Sequence, residues 1–251
     1  MKSLILLFFS IVAASAFPLW PHQNDGLKYG LIGWYPLNEA SGTVANNSAN
    51  PSIAGSISNS PVWINGVVGS AISFNGSSQV VALGNNFEMT TNSGFTVSLW
   101  FKTTSPTDGV SGLLTKTRSA TEYGRWGIFR DVGQVIEFLV TTPAGGGVVA
   151  ATSISPFTNG IWHLAVGVIQ NSGTTNIQLW IDGTNAVTTS IGALPFSYTN
   201  SDQCFIGSYA DFSGQVPAYF WTGSLDDARI WNRALTATEI KQAYNFGFGT
   251  P

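Results

Sequence analysis

From Leu31 onward the chain is a succession of short runs rich in Val, Ile, Phe, Trp and Thr, each closed by a cluster of Gly, Pro, Asn or Ser. Runs of that length and composition read as strands. Examples are Leu31-Ile-Gly-Trp-Tyr-Pro-Leu37, Ala71-Ile-Ser-Phe74, Gln79-Val-Val-Ala-Leu83 and Phe95-Thr-Val-Ser-Leu-Trp-Phe-Lys102. Two pairs of runs predict hairpins: Gly127–Arg130 with Gln134–Val140 across a Val132-Gly133 turn, and Trp162–Ile169 with Asn176–Ile181 across Asn171-Ser-Gly-Thr-Thr. Many short strands with almost no helical period leave a sandwich or a barrel.

One helix is predicted, at the C-terminal end. Thr236-x-x-Glu239 is a capping box, in which each side chain satisfies the other residue's free backbone N–H. Ile240 and Tyr244 then share a helix face and would dock on the sheet.

The first 16 residues read as a signal peptide. Lys2 supplies a positive start, Leu4–Val12 an apolar stretch, and Ala14-Ser-Ala16 a small-x-small cleavage site. The apolar stretch is too short to span a hydrocarbon core of about 30 Å, so no membrane insertion is expected. The mature chain is expected to start at Phe17 and to be soluble and secreted. Residues 17–30 form an irregular lead-in, and 31–251 make one large domain.

Charged residues are only 9% of the chain and the net charge is −3. A nucleic-acid partner would need a basic stripe, so that class is excluded. The single cysteine, Cys204, rules out an internal disulfide and reads as a small buried hydrophobe. Asn46-Asn-Ser and Asn75-Gly-Ser are glycosylation sequons.

Several blocks carry a resemblance. Trp34-Tyr-Pro-Leu-Asn-Glu-Ala-Ser-Gly-Thr is followed in order by Gly69-Ser-Ala-Ile-Ser-Phe-Asn-Gly76 and Phe95-Thr-Val-Ser-Leu-Trp100. Trp162-His-Leu-Ala-Val and Leu179-Trp-Ile-Asp-Gly183 come next, and Gly223-Ser-Leu-Asp-Asp with Asn232-Arg-Ala-Leu-Thr-Ala-Thr-Glu-Ile240 closes the series. Together they resemble the laminin-G-like, concanavalin A-like jelly-roll family. The resemblance implies an all-β fold, a two-sheet antiparallel sandwich with a short C-terminal helix. It implies function only loosely, because the fold hosts lectins, adhesion modules, glycanases and structural domains.

The glycanases of this fold use two carboxylates, roughly 5–5.5 Å apart for retention and roughly 6.5–9.5 Å for inversion. No two Asp or Glu residues here stand at i, i+2 or i, i+4, the spacings that share a strand face. A cross-strand pair such as Asp131 with Glu137 stays open, although solvated turn charges are the plainer reading. Polysaccharide lyases of the fold need a base, and the histidines are His22 in the lead-in and His163 in a strand, where packing is the plainer role. No enzyme is expected.

The resemblance also implies a Ca²⁺ site at one end of the sandwich, carried over onto Glu39, Asn46 and Asp226. Strand parity places Asp226 on one face with Ala228 and Ile230, the core side, where a carboxylate needs donors or a cation. Glu39 and Asp226 are hard oxygen donors that suit Ca²⁺, while Asn46 stands where the family has Asp and removes a charge. The alternative is that both carboxylates accept backbone N–H bonds with no metal.

The leading function is a non-catalytic module that binds glycans or glycoproteins. Sugars stack on aromatic rings and pair with fixed polar groups. Two loops offer both, and the candidate residues are Arg118, Tyr123, Arg125, Tyr209, Asp211 and Tyr219. For Trp126 and Trp221, beside those loops, core packing is the plainer reading. A self-associating structural or adhesive subunit is the runner-up, and an unrecognised glycanase or lyase the third reading. The Ala-Ser-Ala site predicts that secreted material has the intact mass of a chain starting at Phe17. A mass beginning at Met1, or beyond Tyr29, would contradict it.

Overall fold

In the computed structural model the described residues are 25–89, 94–105, 109–116, 126–141, 148–153, 155–171, 174–192, 202–210 and 216–248. The first element is a single helical turn, α1 (Asp25–Lys28), inside the expected irregular lead-in. There follow β1 (Leu31–Tyr35), β2 (Val44–Ala45), β3 (Gly55–Ser58), β4 (Val62–Asn65), β5 (Ser70–Asn75) and β6 (Val80–Gly84). Next come β7 (Phe95–Lys102), β8 (Ser111–Lys116), β9 (Trp126–Arg130), β10 (Ile136–Thr141), β11 (Val148–Thr152) and β12 (His163–Asn171). The series ends with β13 (Thr175–Ile181), β14 (Thr184–Gly192), β15 (Cys204–Ile206), β16 (Ser208–Ala210), β17 (Pro217–Phe220), β18 (Thr222–Trp231) and α2 (Ala237–Phe248).

The strands form two antiparallel sheets, a jelly-roll sandwich. The first runs β14-β13-β12-β7-β18-β5-β4, with β1 also on β18. The second runs β11-β10-β9-β8-β15-β6-β3-β2, and β16-β17 is a separate hairpin. Both expected hairpins form, as β9–β10 and β12–β13. β7 has the expected bounds, whereas β1 stops at Tyr35 because the chain turns at Leu37, which has φ 55°.

Alternation along the strands sends one set of side chains between the sheets. Tyr35, Phe101, Trp126, Phe138, Trp221 and Ile230 are among the buried residues of that core. Trp126 and Trp221 are therefore core residues, and so is Cys204, whose thiol burial pushes up to about 12. The other set on the first sheet, Trp100, Leu164, Val166, Val168 and Trp231, lies under α2. There Ile240 and Ala243 cover it, and Leu27 of α1 joins them. Each fully buried Leu or Ile contributes roughly 1.5–3 kcal/mol, enough to hold a short helix on a sheet.

The helix is set as its sequence predicts. The Thr236 N–H donates to Glu239 Oε2 at 2.8 Å, and the Glu239 N–H to Thr236 Oγ1 at 3.3 Å. Arg233 extends the cap to the lead-in, with donors on both Glu239 oxygens and on the Gly26 and Tyr29 carbonyls. Tyr244 stacks on Trp100 with ring centroids 5.6 Å apart.

Parity fails at one place. A bulge in β18 lies between Asp226 and Arg229, and Asp227 has φ 48°. Asp226 pairs with Trp100, whose ring belongs to the cluster under α2, whereas Ala228 and Ile230 belong to the core. Paired residues share a face, so Asp226 is buried on the outer side and not on the core side.

Thr236→Ala removes one half of the capping box and should lower stability by about 1 kcal/mol. In a domain of this size that is a melting-temperature drop of about 2–4 °C. A drop much larger than this would mean that Thr236 holds more than the helix start.

Candidate functional site

The outer face of the second sheet is crossed by the β16–β17 hairpin. Ala210 and Phe220 of the hairpin pack on Val80, Ala82 and Phe205. β8 comes so close beneath that a Cβ on Gly112 would overlap the backbone of Ser208. Thr115 Oγ1 donates to the Ser208 carbonyl at 2.8 Å and fixes the crossing.

Tyr209 and Tyr219 are directly opposite on the hairpin, and their rings stack 4.1 Å apart at 7°. Tyr209 meets Phe129 of β9 edge-on at 5.3 Å. Phe129 is paired with Glu137 of β10, and Glu137 with Thr152 of β11. Thr152 Oγ1 donates to Glu137 Oε1 at 3.0 Å. The result is a row across five strands: two stacked rings, a ring edge, a carboxylate and a hydroxyl. Tyr219 is 39% exposed, Tyr209 and Glu137 are half-buried, and Phe129 is buried.

Burial pushes the Glu137 carboxyl up, the charge of Asp131 adds to that, and the Thr152 hydrogen bond opposes it. Asp131 itself caps its turn by accepting the Val132 N–H at 2.7 Å. Asp131 is thus a turn residue, whereas Glu137 is a face residue that the plain reading of the pair as turn charges overlooks.

Of the residues expected to bind ligand, Tyr209 and Tyr219 are brought together. Arg118, Tyr123, Arg125 and Asp211 lie outside the described residues. Phe129, Glu137 and Thr152 were not expected. The signal for Glu137 was available in Ile136-Glu-Phe-Leu-Val140, where Ile136, Phe138 and Val140 enter the core and Glu137 must face out. His163 takes the packed role: its Nδ1 is 2.6 Å from Asp182 Oδ2, and its ring lies against Phe101 and Phe157.

Glu39 and Asn46 meet, with Glu39 Oε1 accepting from the Asn46 backbone at 2.7 Å and from its amide at 3.1 Å. Asp226 Oδ2 accepts the Val67 and Val68 N–H groups at 2.7 and 3.2 Å. That loop reaches back toward Glu39, because the Ser70 N–H donates to Asn38 Oδ1. Gly66 is required in it, since a Cβ there would meet the Asp226 carboxylate. Two buried oxygens, Glu39 Oε2 and Asp226 Oδ1, lack a well-formed hydrogen bond, a condition that a hard cation would relieve. Among the described residues no group of three His, Cys, Asp or Glu side chains is placed to hold a metal, so a cation would draw further ligands from backbone carbonyls. Burial pushes the Asp226 carboxyl up to about 7, the Asp227 charge adds to this, and the backbone N–H groups of Val67, Val68 and Asp227 oppose it.

Residues 75–241 match the family described as the concanavalin A-like lectin/glucanases superfamily, of laminin-G type. No curated protein matches the sequence. Among solved structures, the binding domain of Paraclostridial Mosquitocidal Protein 1 aligns with TM-score 0.69 and 14% identity, covering 89% of this chain and 53% of that one. Domain 4 of AbnA, a GH43 extracellular arabinanase from Geobacillus stearothermophilus, aligns with TM-score 0.61 and 15% identity over 84% of this chain and 97% of that one. Trypanosoma rangeli sialidase aligns with TM-score 0.59 and 17% identity over 89% of this chain and 34% of that one. The chain thus spans about half or less of two of these proteins and nearly all of the third. At these identities the likeness is one of fold. No described helix is long and apolar enough to cross a membrane.

The Asp226 carboxyl titrates higher in the fold than its ordinary value of 3.8. Its protonated form therefore favours the fold fully below pH 3.8, and that contribution is lost as pH rises through about 7. At roughly 1.4 kcal/mol per unit of difference, the swing is a few kcal/mol. Asp226→Asn should remove this pH dependence, gaining on the parent as pH rises from 4 to 8 in metal-free buffer. Melting curves that stay parallel across that range would contradict it.

Proposed function

The chain belongs to the concanavalin A-like lectin/glucanase superfamily, and on that premise we propose that it is a secreted, non-catalytic module that binds carbohydrate. The observation that carries the proposal is the row from Tyr219 through Tyr209, Phe129 and Glu137 to Thr152. Stacked tyrosines offer a flat apolar platform to the C–H face of a sugar ring. Glu137 and Thr152 offer an acceptor and a hydroxyl beside it, held in place by their mutual hydrogen bond. Hydrolysis needs two carboxylates across the scissile bond, and the described row holds one.

The neighbours support this reading. The arabinanase domain, matched over 97% of its length, was solved in complex with arabinotriose. Two others are named as a binding domain and a receptor binding domain. Calcium enters as a second proposal, carried by the buried oxygens of Glu39 and Asp226 that lack a well-formed hydrogen bond, with the Asn46 amide beside Glu39. A cation bound there would tie the Gly66–Ser70 loop to the first and last strands.

A glycan array with the parent, Tyr219→Ala and Glu137→Gln, each in EDTA and in millimolar Ca²⁺, tests both proposals. Losing one stacked ring should weaken binding about tenfold without unfolding. Binding should change as pH falls through the Glu137 titration, and Glu137→Gln should flatten that change. It should depend only weakly on salt, unlike counterion-driven association. Ca²⁺ should raise the melting temperature as ln(1 + [Ca²⁺]/Kd). Absence of any glycan binding would leave the self-associating structural reading, and equal melting in EDTA and Ca²⁺ would remove the cation.

A further inference from the structure

We propose that the outer face of the first sheet, over β12, β13 and β14, is a second binding site, for an extended neutral polysaccharide. It stands on residues separate from the Tyr219 row. Register places three rungs side by side: Val166–Trp180–Asn185, Val168–Gln178–Thr188 and Gln170–Asn176–Ser190. The first two rungs continue across β7 at Ser98 and Thr96, on the face that bears Trp100 and Leu164, opposite the core.

The floor of this surface is apolar and firm. Val166 and Val168 are sealed in the cluster that α2 closes, so the apolar group the surface itself presents is Trp180, which packs against that cluster while remaining partly exposed. α2 closes this face up to β12, its Tyr244 lying on Trp100 beside the Asp182–Gly183 turn, and leaves β13, β14 and Gln170 uncovered. On the rungs themselves Gln170, Asn185, Thr188 and Ser190 are exposed, and Asn176 and Gln178 are half-exposed.

The polar groups are ordered in advance. Trp180 Nε1 donates to Gln178 Oε1 at 2.8 Å, and Gln178 Nε2 donates to Gln170 Oε1 at 3.2 Å. The Asn185 amide donates to Thr188 Oγ1 at 3.1 Å. This relay fixes the indole with its donor satisfied and holds two amides in one orientation. Little side-chain entropy then remains to be lost on binding.

The chemistry selects the ligand class. The three rungs carry four amides, two hydroxyls and an indole, and no charged side chain. A nucleic acid or anionic polymer would need cations, and a membrane would need an apolar face. Amides that both donate and accept match vicinal hydroxyls, and the indole matches a sugar's C–H face. Rungs lie about 6.7 Å apart along the strands and strands about 4.8 Å apart across them. That surface is longer than one sugar, so it suits a chain lying along it rather than a monosaccharide in a pocket. A surface strand kept soluble by Thr and Ser is the plainer explanation of β14, but it does not account for the Trp180–Gln178–Gln170 relay on β12 and β13.

Affinity electrophoresis of the full chain through gels containing hydroxyethyl cellulose, galactomannan or arabinan, with heparin as charged control, tests the site. At least one neutral polymer should retard the parent, and heparin should not. In a Tyr219→Ala background, which removes the platform of the row, Trp180→Ala, and independently the exposed double variant Gln170→Ala/Thr188→Ala, should lower the remaining apparent affinity at least tenfold. The double variant should melt with that background, so its loss of retardation cannot be ascribed to unfolding. Retardation of both rung variants equal to that of Tyr219→Ala overturns the inference, as does no retardation by any neutral polymer, or stronger retardation by heparin. If Tyr219→Ala alone loses retardation, the second site falls and the Tyr219 row stands. The converse result leaves the second site standing whatever the fate of the row.

Discussion

A strand delivers alternate residues to its two faces, and a sandwich can spend only the inner faces on its core. What becomes of the outer faces decides the rest of this molecule. On the first sheet they are partly roofed by α2, which seals Trp100, Trp231 and Leu164. On the second they are partly roofed by the β16–β17 hairpin, which seals Val80 and Phe205. Each roof stops short, and the uncovered remainder on each side is where aromatic rings meet ordered polar side chains. The two candidate faces are therefore by-products of the same packing rule, and they point in opposite directions.

In a chain with so few charges, the charges that are buried stand out. Lys116 is fully buried, with its ammonium on Glu88 at 3.1 Å, on Asn85 at 2.8 Å and on the Asp202 carbonyl at 2.8 Å. These contacts join β8 to the segment after β6 and to the segment entering β15. Buried ion pairs give little net stability because desolvation offsets attraction. Their directional demands fix which segments meet, which a purely apolar end of the sandwich would specify less sharply. Asp227 acts similarly, accepting from the Trp34 indole at 2.7 Å and pairing with Arg229, whose guanidinium lies over the same indole.

Much of the architecture was legible in the sequence because it depends on local rules. The capping box at Thr236 and Glu239, the β9–β10 turn and the limits of β7 each follow from a few adjacent residues. Asp226 shows where such rules stop. Its burial was readable, but its face was not, because a one-residue bulge at Asp227 reverses the alternation and leaves no mark in composition. The Tyr219 row was half legible. Both tyrosines stood out as aromatic residues in a polar loop, while Phe129, Glu137 and Thr152 join them only through pairing among strands that the sequence does not align. The relay at Trp180 was hidden for the same reason, since Gln170 and Gln178 look like ordinary surface residues until β12 and β13 are set in register.

β18 is the last described strand and sits in the middle of the first sheet, bonded to β7 on one side and to β5 and β1 on the other. Leu31 finds its partner in Trp231, almost at the other end of the polypeptide. Contacts so distant in sequence slow folding, because the loop entropy must be lost before the pairing repays it. During synthesis β1, β5 and β7 must wait with open edges until residues 222–231 have emerged. Open edges are templates for pairing with other chains, and this chain has little charge with which to repel them. The period before the final strand arrives is thus when the protein is most exposed to aggregation, and a truncation that removes β18 would part β7 from β5 and leave β1 without a partner strand.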